Sequence, residues 1–129
     1  MRECVLDASV VLVWFAEEGS TPARGLRLEY ESGDLAVLAP SLIHLEILNV
    51  AGRRWSWSAD VLQELAAALD DLSFELIEPD LTTVGKWVAA GLTAYDAAFV
   101  AVAEAAATPL LTTEETILSV APGIASRPV

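Results

Sequence analysis

Four of the nineteen acidic residues, Asp7, Glu46, Asp96 and Glu114, occupy positions from which carboxylates can do chemistry. In open parallel α/β sheets, sites form beyond the carboxyl ends of the strands. Asp7 stands at the exit of the strand expected in ECVLDAS, and Glu114 just past the strand expected in PLLTT. Asp96 falls in the first turn of the helix before PLLTT, and Glu46 lies inside the helix that follows AVLAP. Carboxylates gathered at one site raise one another's pKa and cannot all stay ionised without a cation. One histidine, His44, and one cysteine, Cys4, cannot supply a zinc site of nitrogen and sulfur ligands. Oxygen donors point instead to Mg²⁺ or Mn²⁺.

The same scarcity excludes catalysis by paired histidines. A Ser-His-Asp triad would rest on His44, whose apolar setting suits a packing or surface role. Neither G-x-G-x-x-G nor G-x-x-x-x-G-K-[ST] occurs, which argues against dinucleotide binding and P-loop chemistry.

Each acid also has a structural reading. Asp7 would cap the helix after it, Asp96 would complete a capping box with Thr93, and Glu114 would favour a helix dipole. Glu46 sits in SLIHLEILNV, where an unpaired carboxylate is expensive to bury. It needs a partner, either Arg53 one face along the helix or a metal ion.

The elements that must position these acids follow from pattern. ECVLD reads as a buried strand, VVLVWFAEE as a helix, and Pro22 to Ser32 as a second helix. AVLAP is a short strand, with Ser41 a candidate N-cap for a helix through Arg54. Val61, Leu62, Leu65, Leu69 and Leu72 recur at helical spacing from Ser58 onward. FELIEP reads as a strand, LTTVGKWVAAG as a short helix ending at Gly91, TAYDAAFVAVAEAAA as an alanine-rich helix, and PLLTT as a strand before a helix near Glu114. Strands alternating with helices imply a parallel sheet covered on both faces, an α/β class.

With 129 residues the chain is expected to form one domain over 1–129. Cys4 alone cannot make an internal disulfide, no secretory signal is evident, and no apolar run approaches the roughly 20 residues of a spanning helix. A cytoplasmic protein without membrane spans is expected. Hydrophobic content of 54% leads us to expect leftover apolar surface and therefore an oligomer. A net charge of −12 repels a polyanion at long range, so composition alone favours a basic protein partner or divalent cations over nucleic acid. The stretch from Trp55 to Gly85 holds seven acids and no Lys or Arg, and reads as a solvated face or a docking surface for a basic partner.

With the acids placed, the chain resembles the PIN-domain ribonucleases, and among them the VapC-type toxins of toxin-antitoxin pairs. VLDASVVLVWF looks like the family's opening strand and helix, with Asp7 the first acid and Ser9 the hydroxyl beside it. PSLIHLEILNV looks like the segment that supplies Glu46 and Asn49, and GLTAYDAAFVAVAEAAATPLLTTEETI like the Tyr-Asp-Ala helix and the Leu-x-Thr-x-Asp segment. Asp96 and Thr112 carry over directly, whereas Glu114 stands where an aspartate is usual. The resemblance implies a three-layer α/β/α sandwich with a mostly parallel sheet of four to five strands. It further implies cleavage of RNA with Mg²⁺ or Mn²⁺ held by Asp7, Glu46, Asp96 and Glu114, a homodimer, and inhibition by a cognate antitoxin. A catalytically weak or inactive PIN module that binds RNA or a protein partner is the alternative. In RRWSW, Arg53 and Arg54 suit phosphate and Trp55 or Trp57 suits a stacked base, against the plain reading of a helix C-terminus with packed tryptophans. A phosphoacceptor domain would want a lysine at a late strand end, yet the only lysine, Lys86, falls in an expected helix.

Overall fold

The computed structural model describes residues 1–16 and 21–129. The strand β1 (Arg2–Leu6) leads into helix α1 (Ala8–Phe15), and helix α2 (Thr21–Glu31) returns to strand β2 (Leu35–Ala39). Then come α3 (Leu42–Arg53), α4 (Ala59–Asp70), β3 (Glu75–Leu76), α5 (Leu81–Ala89), α6 (Ala94–Ala106), β4 (Leu110–Leu111), α7 (Glu115–Val120) and β5 (Ala125–Ser126). The five strands form one parallel sheet in the order β3-β2-β1-β4-β5. Helices flank it on both faces as an α/β/α sandwich.

Burial on both faces explains the strand sequences. Cys4, Val5 and Leu6 are wholly buried in β1, and β2 reads LAVLA without polar alternation. Helix α6 is buried along Ala97–Ala103, around Phe99 and Val100, as expected of a helix apolar on all sides. Its alanines let its backbone approach the sheet closely. No single helix among the described residues is long and apolar enough to cross a membrane.

Some expectations shift. Helix α1 ends at Phe15, while Glu17 and Glu18 of the expected helix lie outside the described residues. Ser41 does not cap α3 through its side chain: its own backbone is helical (φ −59°, ψ −25°), and its hydroxyl donates to Glu78 Oε1 at 2.5 Å. FELIEP contributes only Glu75 and Leu76 to the sheet, an edge strand paired on one side with β2. Strand β5 had no signal, because its two residues join the sheet through partners in β4 rather than through any local pattern.

Candidate active site

The strand order reverses direction at β1, between β2 on one side and β4 on the other. A crevice opens where neighbouring connections leave for opposite faces. Register sets what stands there: Val5 pairs with Leu110 and Leu6 with Leu111, and the Asp7 N–H donates to the Leu111 carbonyl at 3.1 Å. Asp7 and Thr112 are therefore neighbours one residue beyond the paired strands.

Asp7 is 2% exposed and Thr112 fully buried. The Asp7 Oδ2 atom accepts from the Thr112 hydroxyl at 2.9 Å, the Ser9 hydroxyl at 2.7 Å and the Ser9 N–H at 3.4 Å. Both hydroxyls also grip the loop after β4. Ser9 Oγ accepts from the Thr113 N–H at 3.1 Å, and Thr112 Oγ1 from the Glu114 N–H at 3.0 Å. One carboxylate oxygen thus anchors both the β1 and β4 exits, and among the described residues Oδ1 takes no hydrogen bond. The capping reading of Asp7 holds, since the Ser9 bond caps α1, but it uses only one of the two oxygens.

A cleft of about 470 Å³ lies above these strand ends. Asp7, Glu46, Asp96 and Glu114 all line it, as do Ser9 and Asn49. Glu46 and Asn49 project from one stripe of α3. Asp96 lies in the first turn of α6, where the Thr93 hydroxyl accepts from the Asp96 N–H at 3.1 Å. That is half of the expected capping box, and the Asp96 side chain still reaches the cleft. Glu114 occupies the N-cap position of α7 but makes no side-chain capping bond, so capping does not account for it.

The electrostatics match four acids that share one cleft, with no ion pair from any of them to Arg54 on its rim. Burial first, then the charges of Asp7, Asp96 and Glu114, push the Glu46 carboxyl up to about 7. Burial, Asp7 and Glu114 also raise Asp96, partly offset by its hydrogen bond with Thr93. The Arg53 alternative for Glu46 is not realised, since no ion pair joins them. Arg53 is exposed and off the cleft, whereas Arg54 and Trp55 line it. One step along a helix turns a side chain by about 100°, which separates the two arginines.

Among the described residues, no three of His, Cys, Asp and Glu form a ready-made metal cage. The donors still fit a hard divalent cation, because Mg²⁺ retains several waters and takes one or two carboxylates plus substrate phosphate. The buried Asp7 carboxylate has Oδ2 fixed, and among the described residues its Oδ1 has no hydrogen bond and no cation pairs with it. Asp7 with Asp96, Glu46 and Glu114 would hold such an ion.

Sequence reading missed Thr113, Val50 and Leu12 as cleft residues. Val50 was within reach, since it lies one turn on from Glu46. Thr113 acts through its backbone, which residue type does not reveal. His44 takes no place on the cleft; it is half-buried, with Nε2 enclosed and without a partner.

The PIN domain family model matches residues 4–123. The crystal structure of PAE2754 from Pyrobaculum aerophilum aligns with a TM-score of 0.61 at 25% identity, over 92% of this chain and 84% of that one. No curated protein matches. PIN domains are generally nucleases, and the family match spans all four acids and the strand ends that carry them. The chain belongs to the PIN domain family.

Proposed function

We propose that the protein is a Mg²⁺- or Mn²⁺-dependent endoribonuclease and the toxin of a toxin-antitoxin pair. The observation that carries the nuclease reading is the convergence of Asp7, Glu46, Asp96 and Glu114 on one cleft at the strand ends. A divalent ion bound there supplies a lowered water pKa and neutralises charge on the reacting phosphate.

The chain's own residues do the rest. Asp7, fixed by Ser9 and Thr112, offers its free oxygen in an unchanging position. Asp96 and Glu114 face it from α6 and from the β4 exit. Glu46, on the same cleft, would complete the ion's shell or position the attacking water, whose proton it can accept. The water oxygen bonds to phosphorus, the bond to the 3′ oxygen breaks, and that oxygen is protonated. Products carry 5′-phosphate and 3′-hydroxyl ends. Mapping the ends of cleaved RNA tests this: 5′-phosphates are expected, and 2′,3′-cyclic phosphates would overturn it.

A second reading, a PIN module that binds without cutting, draws on Glu114 in place of the usual aspartate and on the lack of a ready-made cage. Cleavage of a broad RNA panel separates the two.

Partners follow from the surface. Leu45 and Tyr95 are 70% and 67% exposed, and they face an apolar hollow of about 430 Å³ shared with Leu42, Glu46 and Asn49. That hollow suits a second copy of the chain, and a basic antitoxin segment complements the acidic cleft. Leu45→Glu is expected to convert a dimer to monomer in sedimentation. A neighbouring reading frame for a small protein with a basic tail, whose product relieves growth arrest, is the expected antitoxin, and its absence would count against this pairing.

A further inference from the structure

The seven basic side chains are not equally occupied. Arg2 pairs with Glu29, Arg27 with Glu31, Lys86 with Glu104 and Arg127 with Glu115, while Arg24 donates to the Ala16 carbonyl at 2.9 Å. Among the described residues only Arg53 and Arg54 have neither ion pair nor hydrogen bond, and of these Arg54 alone lines the carboxylate cleft. In a chain of net charge −12, that is the one cation facing the acids.

Trp55 lines the cleft beside it, half-buried, its ring 5.0 Å from that of Trp57 and tilted by 50°. The backbone here is tightly determined. The Trp55 N–H donates to the Val50 carbonyl at 3.2 Å, the Trp57 N–H to the Ala51 carbonyl at 3.1 Å, and Ser56 between them stands at φ 56°. That left-handed conformation at a helix end usually belongs to Gly or Asn. The α3 dipole explains a positive charge at this terminus, but not a guanidinium and an indole both turned to the cleft.

We infer that Arg54 and Trp55 form a nucleotide subsite, at which an unpaired base of the RNA stacks on Trp55 while Arg54 binds an adjoining phosphate. It rests on the ribonuclease reading for its substrate. Arg54, the C-cap of α3, stands eight positions on from Glu46, about 12 Å along the helix, so the subsite lies further along the RNA than the reacting phosphate. Stacking needs a splayed base, which duplex RNA does not present, so the subsite selects unpaired RNA.

The test measures binding separately from cutting. Labelled unpaired RNAs and their duplexes are titrated against the Asp96→Asn protein, alone and combined with Trp55→Ala, Trp55→Phe or Arg54→Ala, and cleavage is scored with wild type. Trp55→Ala is expected to weaken unpaired-RNA binding by about tenfold, with Trp55→Phe much closer to the parent. Arg54→Ala is expected to reduce the salt slope by about 0.7, one phosphate contact on a single strand. Should Trp55→Ala fail to fold, Trp55→Leu, which keeps bulk but removes the aromatic face and is expected to weaken binding likewise, and the exposed Arg54 still decide. Unchanged affinity and salt slope, equal binding of duplex, or no RNA binding at all would overturn the subsite. Binding that depends on Trp55 and Arg54 while wild type cuts nothing would overturn the nuclease reading alone.

Discussion

The Thr112 hydroxyl donates to Asp7 Oδ2 at 2.9 Å across 105 residues of sequence. Through this bond the central strand and its neighbour fix one carboxylate oxygen and leave the other for the cleft. Thr112 also accepts from the Glu114 N–H, so it sets the spacing of two candidate ligands at once.

Thr112→Val should keep the volume and remove both bonds. Metal affinity and cleavage are each expected to fall by about 10- to 100-fold, the usual effect of losing a group that orients a ligand. Stability should drop by about 1–3 kcal/mol, since a buried carboxylate loses a donor. Thr112→Ser should restore most of both. Metal titration of the two variants checks this.

Glu46 makes the metal-free fold pH-dependent. Its carboxyl rises from 4.5 to about 7, so the folded state holds a proton that the unfolded chain has already released. This contribution to stability is fully present below about 4.5 and is lost as pH rises through about 7. Glu46→Gln should therefore melt higher than wild type, by a margin that grows across that window and then levels. A margin independent of pH would show that Glu46 is not strained by its neighbours.

Divalent ion should reverse that strain. Mg²⁺ or Mn²⁺ at a hundredfold excess over its Kd is expected to add about 2.7 kcal/mol to stability, raising Tm by several degrees. Asp7→Asn should largely abolish the increment, as read by thermal unfolding with and without chelator.

Much of this site was legible because its acids sit at strand ends. Asp7 follows β1 directly, Glu114 stands just past the exit of β4, and Glu46 stood out as an acid in an apolar helix. What was not legible depends on contacts made at long range. Ser41 has every local mark of an N-cap, yet its hydroxyl is drawn to Glu78, 37 residues away. Arg53 and Arg54 are adjacent and chemically alike, and only the helical phase of α3 turns the second into the cleft. Strand β5 consists of Ala125 and Ser126, which carry no strand pattern until β4 pairs with them.

Glu114 is the acid whose role is most sharply testable by length. Glu114→Asp shortens the side chain toward the residue usual in the family and is expected to keep or raise cleavage, while Glu114→Gln should lower it by at least tenfold. Equal activity in all three would remove Glu114 from the metal site. Single-turnover rates on one RNA supply the comparison.

The proposed metal-dependent cutting of RNA by these carboxylates is tested by cleavage of unpaired RNA with wild type, Asp7→Asn and Asp96→Asn, each with Mn²⁺ or Mg²⁺ and again with chelator. Wild type should cut only with the ion, and both variants should stay folded and inactive. Cutting that survives the chelator, or persists undiminished in either variant, would contradict the account.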